Sequence, residues 1–403
     1  MSSDTSLAIA IDIGGTFTDI ALHDAKSGRI WRAKTPSVPS DPSQAFLTGV
    51  KLALADAGQL PTSLERVLHG TTVATNMILE GKGARAALVT TAGFRHVLTI
   101  GRQDIPRRAN YLAWVKPARP VPASRVLEVK ERIGSGGVVI EPLDEQSVRE
   151  AAASCRALKV EAVAICLLHS FANPAHERAI GAAVAERFQN LSISLSSDVA
   201  PEIREYLRAS TTVANAYIRP LAELYLERLE QALRAEGIPG GLFLMLSNGG
   251  LTHVSEAKRA PVQLLESGPA AGALAGAWFG RNAGLDRVLA FDMGGTTAKL
   301  ALVDDGEPLV AYGFEAAREK RFMRGSGLPI QIATVELIEI GAGGGSIARK
   351  SDLGTLNVGP ESSGAQPGPA CYGRGGKDAT VTDADLTLGY LNADFFLGGA
   401  MKI

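Results

Sequence analysis

One short stretch occurs twice, and it constrains the fold more than any other feature. Asp12-Ile-Gly-Gly-Thr-Phe-Thr-Asp19 lies near the start of the chain, and Asp292-Met-Gly-Gly-Thr-Thr-Ala-Lys299 lies far downstream. The flanks keep the same register: Ala10 matches Ala290, Ala21 matches Ala301, Leu22 matches Leu302 and Asp24 matches Asp304. Each copy follows an apolar β-type run, Leu7 to Ile11 and Val288 to Phe291, and precedes another, Ile20 to Leu22 and Leu300 to Val303. That pattern predicts a hairpin whose turn carries a Gly-Gly pair. Glycine permits φ > 0 and lets a ligand approach the backbone. The bare amides of such a turn form a nest suited to phosphate. The Asp before each turn can hold a magnesium ion through water, because that ion takes few carboxylates and keeps much of its hydration shell.

A single Gly-Gly turn fits an ordinary hairpin as well as it fits a phosphate site. Two in register, on two halves of one chain, fit a clamp on one nucleotide. The arrangement resembles the superfamily of actin, Hsp70 and the sugar kinases, in which duplicated domains place two phosphate loops on opposite walls of an ATP cleft. The resemblance implies an α/β fold of duplicated actin/Hsp70/sugar-kinase-like ATPase lobes. The βα alternation from 86 to 195 adds an inserted α/β region. The expected division is 1–200 for the lobe with the first loop and 201–403 for the lobe with the second, the latter truncated at its C-terminal end.

Composition narrows the class. A length of 403 residues exceeds one simple core. Hydrophobic content of 46% with 21% charged residues indicates a folded globular chain. A formal net charge of −1 argues against bulk attraction to nucleic acid or membrane. Met1 to Ser6 is polar with no signal-type apolar core, and no apolar run is long enough to span a bilayer. Cys155, Cys166 and Cys371 lack metal-ligand spacing. The first two lie in apolar patterns, which predicts buried thiols in a reducing, cytoplasmic setting.

Other stretches carry candidate chemistry. In His69-Gly-Thr-Thr-Val-Ala-Thr-Asn76 a strand runs into a helix, and Thr71, Thr72, Thr75 and Asn76 serve either as caps or as ligand donors. His69 beside Gly70 fits a satisfied structural histidine or a substrate contact. Gly101-Arg102-Gln103-Asp104 precedes a Pro-rich stretch to Pro122 that is expected to wrap the surface. Glu202 to Arg234 reads as a long helix interrupted near Pro220. Glu266 to Gly272 opens a helix of small residues whose N-terminus faces either a packing partner or a ligand. A third glycine cluster, with Gly343, Gly344, Gly345 and Ser346, follows a β-type run from Gln331 to Ile340 and is expected to approach the nucleotide, near the adenosine or the β-phosphate.

Taken in order, the stretches Asp12 to Asp19, His69 to Asn76, Ala164 to Glu177, Ser196 to Tyr217, Ser247 to Leu251, Glu266 to Gly272, Asp292 to Thr297, Ile340 to Ile347 and Gly364 to Tyr372 resemble the hydantoinase A / 5-oxoprolinase family. That family also includes subunits of the acetone and acetophenone carboxylases. The resemblance runs from about residue 7 to the end. It implies an ATP-dependent hydrolase subunit that phosphorylates the carbonyl oxygen of a lactam or hydantoin to activate ring opening. It further implies ATP and Mg2+ as cofactors, a small cyclic amide as substrate, a hydantoinase B-like partner subunit and an oligomeric assembly. In that scheme Asp12 and Asp292 hold the metal at the catalytic centre. Gly14, Gly15, Thr16, Thr18, Gly294, Gly295, Thr296 and Thr297 hold the phosphates, with Gly343 to Ser346 close by. His69, Thr71, Thr72, Asn76 and Arg102 orient the substrate oxygen. The same motifs fit a carboxylase subunit that activates an enol or bicarbonate, and a non-catalytic nucleotide-binding scaffold. Two departures stand out. Lys299 occupies a position where the family commonly has an acid, facing either a phosphate or solvent, and family chains usually run several hundred residues further.

Overall fold

The computed structural model describes residues 6–14, 17–38, 41–102, 119–318, 325–364, 366–399 and 401–403. The chain opens with β1 (Leu7–Ile13), β2 (Phe17–Asp24) and β3 (Ile30–Pro36). Helix α1 (Pro42–Ala57), β4 (Leu64–Thr71) and α2 (Val73–Leu79) follow. The insertion comprises β5 (Ala86–Thr91), β6 (Val126–Val129), α3 (Glu145–Ala157), β7 (Ala162–Cys166), α4 (Ala175–Arg187) and β8 (Ser192–Leu195). Then come α5 (Glu205–Ala235), β9 (Gly241–Met245), β10 (Leu251–His253) and α6 (Ser267–Asn282). The second copy of the repeat forms β11 (Val288–Met293) and β12 (Ala298–Asp304), with β13 (Leu337–Ile340) beyond it.

Side-chain alternation builds the first sheet. Leu7, Ile9, Ile11 and Ile13 all point to one face of β1 and are buried, as a period of two requires. Helix α1 lies on that face. Its start is fixed by Asp41, whose carboxylate accepts from the Ser43 amide, and by Pro42 at the first position. Its end is fixed by Gly58 in the left-handed conformation at φ 63°. The sheet order is β10-β9-β4-β1-β2-β3. Strand β1 pairs antiparallel with β2 and parallel with β4, and β4 pairs parallel with β9. The fifth member of this sheet therefore comes from beyond residue 200, after the whole insertion.

The insertion has its own all-parallel sheet in the order β8-β7-β5-β6. Strands β5 and β7 are buried along their full length, as expected for central strands covered on both faces. Helix α5 ties the insertion to the first lobe. Ala209, Val213 and Ala216 pack in the insertion core, while Ala214, Ile218, Leu226, Leu229 and Leu233 pack in the first lobe. The helix runs continuously from Glu205 to Ala235 with Pro220 inside it, so the expected interruption does not occur. Buried residues on both sides of Pro220, Ile218 and Ala222, hold the flanking turns in line. Arg208 is fully buried near the start of the helix. Its guanidinium donates to Ser196 Oγ at 3.1 Å and to the carbonyls of Glu202 at 2.8 Å and Leu167 at 2.5 Å.

The second sheet pairs β11 antiparallel with β12, and β12 antiparallel with β13. Helix α6 packs on β4 and β9 of the first sheet and on β11 and β12 of the second, so it is a wall common to both lobes. The Pro-rich stretch that was expected to wrap the surface falls mostly on residues 103–118, outside the described residues.

Candidate active site

Both copies of the repeat form the same local structure. In the first, Asp12 pairs with Asp19 across the hairpin, and the Gly14 amide donates to the Phe17 carbonyl at 3.0 Å. In the second, Asp292 pairs with Lys299, and the Gly294 amide donates to the Thr297 carbonyl at 3.0 Å. Gly15 and Thr16 lie outside the described residues. Gly14 and Gly294 do not use the positive φ that glycine permits. At Gly14 the glycine is needed for closeness instead: a Cβ there would stand 3.0 Å from the Phe17 carbonyl oxygen. Thr18 is buried, and its hydroxyl meets Ser37 Oγ at 3.0 Å, which in turn donates to the Gly14 carbonyl at 2.8 Å. It braces the first turn from behind. Gly294, Gly295 and Thr296 are exposed, and Thr297 is half-buried.

Helix α6 brings the two aspartates to one cleft. A Cβ on Gly268 would lie 3.2 Å from Asp12 Oδ1, and one on Gly70 would lie 3.0 Å from the same atom. One turn further along α6, a Cβ on Gly272 would lie 3.9 Å from Asp292 Oδ2. The Asp12 carboxyl is raised above its ordinary value by burial, then by the charges of Asp19 and Asp292, with Lys299 and Lys34 opposing. The two lysines near it are paired with other carboxylates. Lys34 donates to Asp19 at 2.7 Å, and Lys299 forms an ion pair with Glu266. Lys299 is thus held by a neighbouring carboxylate in a mostly buried pair, rather than standing in solvent. Among the described residues no cation pairs with Asp12 or Asp292. Two unpartnered carboxylates that repel each other at an open cleft suit a hydrated dication, which Mg2+ would complete with water and phosphate oxygens. Among the described residues no group of three or more His, Cys, Asp or Glu is placed to hold a metal, which a two-carboxylate Mg2+ site does not need. A groove of about 710 Å³ runs along the outer face of the first sheet beside this cleft, lined by Asp12, Asp19, Lys34, Leu68, Met245 and Ala271. Its volume falls in the range of small-molecule sites.

The third glycine cluster packs directly against the second turn. The amides of Gly344 and Gly345 donate to the carbonyls of Gly294 and Gly295 at 2.9 and 2.7 Å. The Gly343 amide donates to Ser346 Oγ at 2.8 Å, and Ser346 is fully buried. These amides brace the second turn. Glycine is required because a Cβ on Gly343 would come within 2.6 Å of the Thr296 amide nitrogen.

Most of the residues expected to orient substrate also serve the scaffold. His69 is buried, with Nδ1 donating to the Ile11 carbonyl at 3.1 Å and Nε2 accepting from Tyr225 OH at 2.8 Å. Thr71 is buried, and its Oγ1 accepts from the Val73 amide. Thr72 Oγ1 donates to the Ile13 carbonyl at 3.2 Å, and Thr75 Oγ1 accepts from the Glu266 amide at 3.2 Å. Together they tie the start of α2 to β1 and to the start of α6. Asn76 is exposed, with a long contact of 3.5 Å to Thr72 Oγ1. Arg102 is exposed and influences Tyr206 near the start of α5, in the insertion rather than beside His69. Glu266, Gly70, Gly268 and Lys34 were not among the expected site residues. The acid opening a glycine-rich helix, and the lysine two residues before Pro36 on the neighbouring strand, were the available signals.

Burial depresses His69 to about 4 from its ordinary 6.5. The unfolded chain then binds the proton first, so stability falls as pH drops from 6.5 toward 4. The loss amounts to roughly 3 kcal/mol. Denaturant melts at stepped pH should show it, and His69→Phe should flatten that part of the curve. An unchanged slope in the variant would remove His69 as the cause.

Among the described residues no helix is long and apolar enough to cross a membrane. Cys155 and Cys166 are free and buried, and burial pushes both thiols up to about 11.

Comparison with known proteins matches this architecture to one family. The hydantoinase/oxoprolinase N-terminal region model covers residues 8–188, and the hydantoinase/oxoprolinase model covers residues 208–403. The caprolactamase subunit alpha of Pseudomonas jessenii is 37% identical over 98% of this chain and 56% of its own length. A solved structure titled an ATP-dependent caprolactamase, from the same organism, superposes with a TM-score of 0.79 at 34% identity, covering 98% of this chain and 57% of that one. The acetophenone carboxylase gamma subunit of Aromatoleum aromaticum is 34% identical over 100% of this chain and 56% of its own length. A nucleotide-free acetone carboxylase structure, titled for ATP-dependent acetone carboxylation, reaches a TM-score of 0.83 at 26% identity over 99% of this chain and 57% of that one. The chain therefore spans little more than half the length of these relatives. With two family models meeting on either side of residue 200, and the same pair of ATPase-like lobes recurring in solved relatives, the chain belongs to the hydantoinase/oxoprolinase family.

Proposed function

We propose that this chain is the nucleotide-binding part of an ATP-dependent cyclic-amide hydrolase, acting on a lactam, a hydantoin or 5-oxoproline. The observation that carries the reading is the pair of carboxylates, Asp12 and Asp292, which lie beside glycines one turn apart on one helix and have no paired cation among the described residues. In this proposal they hold Mg2+, and the repeated turns present Gly14, Gly15, Thr16 and Gly294 to Thr297 to the phosphates. When bound, Mg2+ supplies charge neutralisation at the transferred phosphoryl group. The γ-phosphoryl moves to the amide carbonyl oxygen and ADP departs with the former bridging oxygen. Amide resonance is thereby broken, and water can open the ring and release phosphate. Glu266 at the start of α6, paired with Lys299 of β12, would set the local charge without entering the bond changes.

A hydantoinase B-like partner subunit and a cytoplasmic setting belong to the same proposal. The subunit names of the caprolactamase and carboxylase relatives favour a multi-chain assembly. A carboxylase subunit is the second reading, supported by the fold match to acetone carboxylase. Sequence identity is 37% to the caprolactamase subunit alpha and 34% to the acetophenone carboxylase gamma subunit, a small margin toward the lactam.

The test is ADP release by the assembled enzyme, with caprolactam, hydantoin or 5-oxoproline in parallel with acetone or acetophenone plus bicarbonate. Stimulation by one of the cyclic amides is expected. Stimulation only by ketone plus bicarbonate would overturn the hydrolase reading in favour of the carboxylase. No binding of ATP by calorimetry would overturn both.

A further inference from the structure

The groove beside Asp12 has an order that follows from the strand registers. Ala10, Ala21 and Arg32 stand opposite one another on β1, β2 and β3, and Leu68 of β4 stands beside Ala10 on its other side. They share the face of the sheet turned away from α1, because the alternate residues Ile9, Ile11, Ile20 and Leu22 fill the covered face. Two residues along β1, Asp12, Asp19 and Lys34 form a second row, with Gly70 beside Asp12. Met245 and Leu251 extend the apolar wall begun by Leu68. The two rows are about 7 Å apart, and Arg32 lies two strand spacings, about 10 Å, from Ala10.

The charges sort by row. Lys34 donates to Asp19 at 2.7 Å, and His69 is buried and hydrogen-bonded at both ring nitrogens. Among the described residues Arg32 is the one cation of the groove lining with no hydrogen-bond or ion-pair partner. Between it and Asp12 the floor is made by Ala10 and Ala21, whose small side chains leave the room that the groove occupies. A ligand there meets carboxylates at one end, an apolar wall along its side and an open guanidinium at the other end.

We propose that Arg32 reads a carboxylate on the substrate, so that this chain takes a cyclic amide carrying one negative charge in preference to a neutral one. The ring and the amide rest on the hydrolase reading above; the groove adds the charge. The ring carbons lie over Ala10 and Ala21 against Leu68 and Met245, the amide carbonyl faces the Asp12 row, and the carboxylate faces Arg32. The reverse placement would set the carboxylate against Asp12 and Asp19, which repel it. Guanidinium suits the task, since its planar fork matches a carboxylate with two parallel hydrogen bonds.

The test uses the assembled enzyme and two matched pairs, 5-oxoproline with pyrrolidinone and hydantoin-5-acetate with hydantoin. For at least one pair, kcat/KM for ADP release is expected to be about tenfold or more higher with the acid, the scale of one charge-assisted hydrogen bond. Arg32→Ala should shrink that ratio about tenfold, through KM rather than kcat. Arg32→Lys should restore part of it, because the charge returns without the fork. Arg32 is exposed, so neither variant opens the core. Calorimetry gives a readout without turnover: the preferred acid should lose about tenfold in affinity in Arg32→Ala while ATP affinity holds. Equal or better use of the neutral member of both pairs overturns the proposal and leaves the hydrolase reading standing. An unchanged ratio in Arg32→Ala overturns it too, as does the absence of binding by either acid. A parallel loss of ATP affinity would assign the guanidinium to a nucleotide phosphate and overturn it as well. Acid binding that depends on Arg32, with no amide-stimulated ADP release, would uphold the anion preference and sink the hydrolase reading instead.

Discussion

Alanine at either Asp12 or Asp292 is expected to weaken Mg2+-dependent ATP binding at least about 10–100-fold, the range seen when even the outer partners of a metal site are removed. The two carboxylates face one cleft across α6, and each lacks a cation of its own among the described residues. If they share one ion, removing the second after the first should add little, and a double-mutant cycle would show strong coupling. Additive losses would assign them to separate sites. The pH dependence follows from the raised Asp12 carboxyl. A folded-state value above 3.8 means that its charge opposes folding at neutral pH, and a bound cation relieves that opposition. Metal competes with the proton, so Mg2+-ATP affinity should decline with falling pH sooner than an ordinary aspartate would allow. In Asp292→Asn one of the raising charges is gone, and the decline should begin at lower pH. Calorimetric titrations across pH 4 to 7 would check both, with about tenfold steps per unit at the steepest point.

Gly343→Ala should be nearly as damaging, although this residue does not face the cleft. Its added methyl would meet the Thr296 amide nitrogen at 2.6 Å, the Gly294 carbonyl oxygen at 2.7 Å and the Gly295 carbonyl carbon at 2.7 Å. All three contacts are backbone, so no side chain can swing aside. The second turn must then move, at a cost of about 1–3 kcal/mol from overpacking alone. Nucleotide affinity should drop by about tenfold or more, since that turn sits beside Asp292. Gly136→Ala is the control, because a Cβ there meets nothing within 4 Å. Retained ATP affinity in Gly343→Ala, with unchanged exchange at residues 294–297, would show that the brace is dispensable.

The repeat was readable because hairpins announce themselves locally. Alternating apolar residues and a Gly-Gly pair predict a hairpin at each copy, and the structure forms both, pairing Asp12 with Asp19 and Asp292 with Lys299. The Asp41-Pro42 pair is also legible as a helix start, and the structure uses it so. Long-range pairing is not legible. Nothing in the Gly241–Met245 stretch states that it joins β4 across the insertion, because strand partners are chosen by the whole core. The third glycine cluster showed the same limit. Its composition required something to come close, and the backbone of the second turn does so. His69 was undecidable from its neighbours alone, since the phenol that satisfies it, Tyr225, lies 156 positions away. The Lys299–Glu266 pair was hidden for the same reason, 33 positions apart.

The two lobes also differ in how much holds each together. The first gathers α1, α5 and the central strands around one large cluster, whereas the second rests chiefly on Ala270, Ala273, Ala301 and Val335. Cooperativity scales with shared buried contacts, so such unequal halves do not melt as a single unit. The smaller half loosens first, and a lone transition midpoint for this polypeptide measures the sturdier half, leaving the fate of the second glycine turn unseen.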